Sequence, residues 1–419
     1  MTLILFIISL GFALLIFTKY KVYSLYFLIS HYFLIDLYNY KFGNDDALTF
    51  LSKSYREILL VFLFFYFFLN IEKLKKQYVS SIVLVILIII LLGVGAYYNG
   101  FSNAVLDWRY TLSPILIALL LSISGILNLE ILRKISTFLL LLVTLNSFII
   151  IIQYYSFDGN FQGNWRYDFL NEQNLKINPE YIERMTQYQI VRGDELRSSG
   201  VFLSALHAAY ITALISVYSF ICSILEIKNY RFFYFFIFLT NFIALYLTQV
   251  RVGFLIIILS LISFSMCVFL KKYTPRSVII ILIISTILFV SLLFLNQDML
   301  DESILGRIPQ YLYLFENFNL FGHGLGSYYG KFDSYYVNGF LTFGILFAFW
   351  ILYIIREYIN IFSDLSYSKN SILVLAYCSI IPALLFSLMQ HFIGSLYYLV
   401  IWFLLFGLIR YKYELKKIK

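Results

Sequence analysis

The sequence predicts an all-α polytopic membrane protein with about 12–14 transmembrane helices, and three observations lead there. The 419 residues are 61% hydrophobic and only 13% charged, with a mean hydropathy of +0.84, whereas a soluble chain is about one-quarter charged. Apolar runs of about 20 residues recur from end to end, the length a helix rising about 1.5 Å per residue needs to cross a hydrocarbon core of about 30 Å. Barrel strands would instead read as short alternating segments, which the sequence lacks.

Taken in order, the apolar runs between charged breaks place thirteen spans, at residues 1–17, 22–38, 58–71, 79–98, 112–127, 135–153, 200–226, 232–249, 253–270, 277–295, 338–355, 371–389 and 395–409. The first has no basic lead and no small-residue cleavage site, so it reads as a span rather than a signal peptide. The second is weakened by His31 and Asp36. No repeat or composition break divides the chain, which reads as a single membrane domain over 1–419.

Charge sets the expected orientation. Segments 18–21, 72–78, 128–134, 227–231, 271–276, 356–370 and 410–419 alternate with the other loops and hold 19 of the 31 Lys and Arg residues. The positive-inside rule makes them cytoplasmic, with the C-terminus inside. The opposite loops hold 16 of the 23 acidic residues. Two of those outer loops are long, 154–197 and 296–337, and a loop beyond about 12–15 residues in a compact protein usually has a function. The working surface is therefore expected to face outward. The first loop is rich in aromatic residues, among them Phe161, Trp165, Tyr167, Phe169, Tyr181 and Tyr188, and its 179–191 stretch reads as a short interfacial helix.

Several chemistries have no motif here. The sequence contains no P-loop, His-Glu-x-x-His, Cys-x-x-Cys or Gly-x-Ser-x-Gly. Cys222, Cys267 and Cys378 all fall in apolar runs and read as packing residues. No metal, cofactor or nucleic-acid partner is expected, and the net charge of +8 matters through its distribution across the bilayer.

Three arginines stand out. Arg251 lies in Leu247-Thr-Gln-Val-Arg-Val-Gly-Phe-Leu255 between two apolar runs. A charge at membrane depth costs at least about 2.5 kcal/mol, so it usually faces a cavity and a partner. Its forked donors suit phosphate oxygens. The alternative is an arginine snorkelling to the headgroups. Arg197 lies in Glu195-Leu-Arg-Ser-Ser-Gly-Val-Phe202, where Ser198, Ser199 and Gly200 read as a helix start whose free N–H groups attract anions. The alternative is an ordinary interfacial cap. Arg307 opens Gly306-Arg-Ile-Pro-Gln310, followed by Phe321-Gly-His-Gly-Leu-Gly-Ser-Tyr-Tyr329, where Gly322, Gly324 and Gly326 permit a tight turn. Such a turn either cradles an anion or is a plain turn.

In order and spacing these pieces, together with Asp333-Ser-Tyr-Tyr-Val-Asn-Gly-Phe-Leu-Thr-Phe-Gly-Ile345, resemble the O-antigen polymerase and O-antigen ligase superfamily (Wzy and WaaL). The resemblance covers residues 195–350 in motifs and the whole chain in topology. It implies a C-type glycosyltransferase-like fold in the bacterial inner membrane with its active site facing the periplasm. The implied substrates are undecaprenyl-pyrophosphate-linked glycans, used without a nucleotide sugar, and a chain-length regulator protein is a further partner. It places catalysis and pyrophosphate binding on Arg197 and Arg251, with Arg307 accessory; the turn glycines Gly322, Gly324 and Gly326 and the loop aromatic Tyr328 are the further candidates for binding pyrophosphate and glycan. Ligases of the superfamily carry a histidine just before the span that follows the last long loop. This chain has none there, and the nearest is His323 inside the glycine turn, which favours the polymerase over the ligase. Asp333 and His323 are the candidate bases. The Asp45 and Asp46 pair is a third choice, its alternative being a solvated turn beside Gly43 and Asn44. A flippase or transporter is the distant alternative, for which His31, Asp36 and His207 are the few polar candidates and show no repeat symmetry.

Overall fold

The computed structural model describes residues 2–42, 54–69, 79–157, 159, 164–174, 190–192, 195–226, 228–295, 308–328, 331–332, 334–388 and 395–418. Among these the protein forms seventeen α-helices and one two-residue hairpin. In chain order the helices are α1 (Thr2–Leu14, extended by a 3₁₀ turn at Leu15–Phe17), α2 (Lys21–Phe42), α3 (Tyr55–Leu69), α4 (Val79–Asn99), α5 (Phe101–Thr111) and α6 (Ser113–Ile123). There follow α7 (Leu129–Tyr155), α8 (Trp165–Asn174), the hairpin strands β1 (Val191–Arg192) and β2 (Glu195–Leu196), α9 (Ala205–Leu225), α10 (Lys228–Leu247) and α11 (Arg251–Leu270). The last six are α12 (Pro275–Leu295), α13 (Ile308–Asn317), α14 (Tyr335–Phe343), α15 (Ile345–Asp364), α16 (Ser371–Phe386) and α17 (Leu396–Ile418).

The protein is an all-α polytopic membrane protein. A helix occupies each of the thirteen apolar runs, and six of them are long and apolar enough to cross a bilayer by themselves, within α4, α7, α9, α10, α11 and α15. The pair α5 and α6, bent by 57°, makes a seventh if it counts as one span. Two predicted spans change form. The run at 112–127 becomes α6 after a break where Pro114 supplies no N–H to the preceding turn. The run at 338–355 is cut at Gly344, whose φ of 58° ends α14 and leaves Ile345–Asp364 as the apolar helix.

The chain divides into two compact units. The first is Met1–Phe68 with Arg133–Ile258, the second Leu69–Leu132 with Leu259–Lys419. Hydropathy does not mark this division, because both units are built of the same kind of apolar helix.

In the first unit α9 and α10 pair along their length. Ala205, Ala208, Ala209, Ala213, Ser216 and Ser219 of α9 are buried, and small residues let helices approach where lipid supplies no hydrophobic drive. Ser147 of α7 donates to Oδ1 of the buried Asn241 of α10 at 2.7 Å, an interhelical bond between groups that would otherwise be stranded in hydrocarbon. The second unit is organised on α6, buried at all eleven of its residues. The Ser122 hydroxyl donates to the Phe406 carbonyl at 2.7 Å. Arg410 donates to the Ser122 carbonyl at 3.0 Å, placing a cation where the exposed carbonyls end a helix. All three cysteines are buried and none forms a disulfide, as expected of packing residues.

Gly344 and Gly100 permit a clean comparison. A Cβ at Gly344 would lie 2.1 Å from the Leu320 carbonyl oxygen, whereas one at Gly100, also at positive φ, would meet nothing within 4 Å. Gly100→Ala should therefore cost about 1–2 kcal/mol, the ordinary price of left-handed backbone. Gly344→Ala should cost more than about 3 kcal/mol, read as a lower thermal midpoint and a smaller monodisperse peak in detergent.

Candidate functional site

The two arginines singled out in the sequence, Arg197 and Arg251, belong to the first unit, and their segments meet where the Ser198 N–H bonds to the Leu247 carbonyl. The expected helix start at Ser198–Gly200 is not there. The helix begins at Ala205, where Ser204 in extended backbone accepts the Leu206 N–H. Residues 197–203 instead form an irregular strap, and side chains from neighbouring helices satisfy its polar backbone.

Asn146 of α7 accepts the Val201 N–H at 2.9 Å and donates to the Ser199 carbonyl at 3.4 Å. Gln153, two turns further along α7, accepts the Gly200 N–H at 2.9 Å and donates to the Gly200 carbonyl at 3.1 Å. Asp36 of α2 accepts the Leu203 N–H at 2.8 Å, and the Leu247 carbonyl ending α10 accepts the Ser198 N–H at 3.3 Å. Gly200 has a φ of 66°, and a Cβ there would stand 2.0 Å from Asn146 Oδ1, so the strap passes where only glycine fits. The N–H groups of 198, 200, 201 and 203 are thus bonded within the chain rather than presented to an anion, contrary to the helix-start expectation.

Arg166, which the sequence reading passed over, holds both ends of the strap. It projects from α8 in the first long loop, is 1% exposed, and donates to the Leu203 carbonyl at 2.9 Å and the Arg197 carbonyl at 2.6 Å. Burial first and the charge of Arg197 second push its pKa down to about 9, with Asp36 opposing. It stays protonated at neutral pH. The hairpin packs under it: Arg197 N–H donates to the Ile190 carbonyl at 2.7 Å, and Leu170, Ile190 and Leu196 form a small core with Phe157, Tyr167 and Leu203 around it. The signal that could have found Arg166 was a lone arginine among Trp165, Tyr167 and Phe169, aromatic residues able to bury it. The interfacial helix expected at 179–191 falls mostly outside the described residues, and its last residue, Val191, lies in strand β1.

Four residues beyond Leu247, Arg251 opens α11. It is exposed and lines a cavity of about 250 Å³ with Tyr154, Glu195, Tyr246, Gln249 and Phe254. Glu195, two residues before Arg197, accepts the Tyr154 hydroxyl at 3.2 Å and the Gln249 side-chain amide. Gln249 stands at a φ of 55°, a rare conformation for a side-chain-bearing residue, in the turn that joins α10 to α11. The cavity brings one carboxylate, one guanidinium, two phenols and an amide together beside an aromatic ring.

Arg307, Asp333, Asp45 and Asp46 lie outside the described residues, and the glycine turn with His323 and Tyr328 belongs to the second unit. The glycine turn is real, with φ of 71°, 80° and 89° at Gly322, Gly324 and Gly326. Its N–H groups are spent internally. The His323 and Gly324 N–H groups donate to the Leu341 and Thr342 carbonyls at 2.8 and 2.9 Å, and the Gly326 N–H donates to Asp107 Oδ2 at 2.9 Å. Asn99 donates to the carbonyls of His323 and Leu325, both at 2.9 Å. The expected anion concavity is therefore filled by the protein itself, and the turn packs α5 against α14. His323 Nε2 meets the Asn317 carbonyl at 3.1 Å, which fixes a proton on Nε2 because a carbonyl only accepts. Tyr328 stacks edge-on to His323 with ring centroids 5.3 Å apart. Burial, then Tyr313, pushes its phenol up to about 12.

Arg166→Met should free two buried carbonyls from charge-assisted bonds worth about 1.5–3 kcal/mol each. Amide hydrogen exchange over 197–203 should then accelerate at least about tenfold while α9 itself changes little. Arg166→Lys should restore only part of the protection, since an ammonium lacks the planar fork that spans two carbonyls. Comparison of the chain with protein-family models, with characterised proteins and with solved structures finds no match to any of them, so the reading of its function rests on the chemistry of these residues.

Proposed function

We propose that the chain is a polysaccharide polymerase that joins undecaprenyl-pyrophosphate-linked oligosaccharide repeat units at the outer face of the bacterial inner membrane. A terminal hydroxyl of one lipid-linked unit attacks the anomeric carbon of the chain carried by another, with inversion, and lipid pyrophosphate leaves. The observation that carries the reading is the meeting of the segments that bear Arg197 and Arg251. They are far apart in sequence, yet the bond from Ser198 N–H to the Leu247 carbonyl draws their segments together at one set of helix ends.

Guanidinium groups on these segments suit the negative charge that grows on a departing pyrophosphate, and binding that strengthens in the transition state lowers the barrier. The strap gives Arg197 a rigid backbone through Arg166, Asn146, Gln153 and Asp36, and catalytic groups work best when their supports are locked. The positive-inside distribution places these helix ends outside, where a lipid-linked glycan is delivered without a nucleotide. The four side chains that bond the strap include Asp36, one of the polar residues a transport pathway would need. Its bond to Leu203 N–H gives it a structural use and supports the transferase over the transporter.

Purified protein should lengthen lipid-linked repeat units with no added energy source. Arg251→Lys and Arg197→Lys should each lose most of that activity at unchanged membrane level, because lysine keeps the charge and loses the fork. Full activity in both variants would reduce the arginines to headgroup anchors. Cysteines placed in 155–195 should react with an impermeant reagent in intact cells, and cysteines in the 410–419 tail should not. If deletion of the gene leaves long polymer stranded on the lipid carrier, the protein is the ligase instead.

A further inference from the structure

We propose that Glu195 accepts the proton from the attacking hydroxyl, an inference that rests on the transferase reading above and adds to it a base and a saccharide subsite. Three features of the cavity point to this residue. Glu195 and Arg251 line the same space of about 250 Å³, so a carboxylate that attracts a proton and a guanidinium that attracts phosphate oxygens act within one small volume. Both hydrogen bonds to the carboxylate, from Tyr154 and from Gln249, fall on Oε2, and Oε1 has no hydrogen-bond partner among the described residues. Two donors on one oxygen fix the plane of the group and leave the second oxygen to receive a hydroxyl. Finally, Tyr246 and Phe254 complete the lining, and aromatic faces beside a carboxylate and an amide are a composition that holds a sugar ring, since C–H faces pack on the rings while hydroxyls bond to the polar groups.

The step balances within the site. The acceptor oxygen forms a bond to the anomeric carbon as the bond from that carbon to the pyrophosphate oxygen breaks. The bonding pair leaves with the pyrophosphate, whose new charge faces Arg251. The hydroxyl proton passes to Glu195 Oε1 and then to water. The chain geometry makes the coupling economical: Glu195 is two residues before Arg197 in the strand that enters the strap, and Gln249, which holds Glu195, is two residues before Arg251. Each arginine is thus tied to the base through its own backbone neighbour.

The test uses full-length protein in lipid nanodiscs and single repeat units on polyprenyl pyrophosphate, extracted from cells lacking the chain. Glu195→Gln should slow lengthening by about 10²- to 10⁴-fold with the dissociation constant of the lipid-linked unit within about threefold of the parent, and Glu195→Asp should recover a measurable part. The rate of the parent protein should fall on the acid side of its pH profile, and Glu195→Gln should lose that limb. Among the described residues, the other titratable or charged groups lining the cavity are Tyr154, Tyr246 and Arg251. Glu195→Gln within a few-fold of the parent, while Arg251→Lys is inactive, overturns the base and leaves the transferase standing. If Glu195→Gln does not reach the membrane, the parent profile decides, and a rate flat through acid pH overturns the proposal. Parent protein that lengthens nothing overturns the transferase reading and the base with it.

Discussion

The rest of the first unit's candidate site depends on one constraint: backbone that leaves the helix among apolar neighbours must find partners for its N–H and C=O groups inside the protein. Residues 197–203 break helical order between the hairpin and α9, and most of the bonds that hold them come from side chains and a carbonyl on other helices. Asp36, Asn146, Gln153, Arg166 and the Leu247 carbonyl each take one or two of those groups. Position follows from this bonding. Arg197 lies where it does because its carbonyl is held by Arg166 and its N–H by Ile190.

The second unit solves the same problem in the same way. The turn at 322–326 leaves helical order between α13 and α14, and Asn99 and the buried Asp107 meet its carbonyls and N–H groups. Two of its three left-handed glycines run against other backbone: a Cβ at Gly322 would lie 2.3 Å from the Thr342 oxygen and one at Gly326 2.8 Å from the Ala104 nitrogen. A glycine-rich sequence can cradle an anion only if its N–H groups are left open. Here the protein's own carboxylate occupies the place an external anion would take at Gly326.

Charge is distributed unequally between the two irregular segments. At the strap Arg166 lies near Arg197 and the carboxylate of Asp36, and Arg251 is four residues beyond Leu247, whose carbonyl anchors the strap. Like charges are costly to hold together unless a counter-charge shares the site, and Asp36 supplies one beside Arg166. The glycine turn takes the carboxylate of Asp107 on its Gly326 N–H, and the packing within its own unit explains it.

The sequence by itself determined the class of the protein and the places of its helices. Runs of apolar residues about 20 long have one stable form in lipid, because only a helix satisfies every backbone group within the segment. It also marked Arg197 and Arg251, since an arginine at the edge of an apolar run is costly enough to need a reason. Tertiary structure alone decided what surrounds them. Arg166 and Glu195 are ordinary charged residues of a polar loop when read along the chain, and their roles come from folding that loop onto the ends of α2, α7 and α10. The ends of α9 and α14 were misplaced for the same reason: hydropathy continues through Ser198–Leu203 and through Gly344, while the hydrogen bonds that interrupt the helices come from residues tens to hundreds of positions away. A pattern read within one segment carries no trace of a partner held on another.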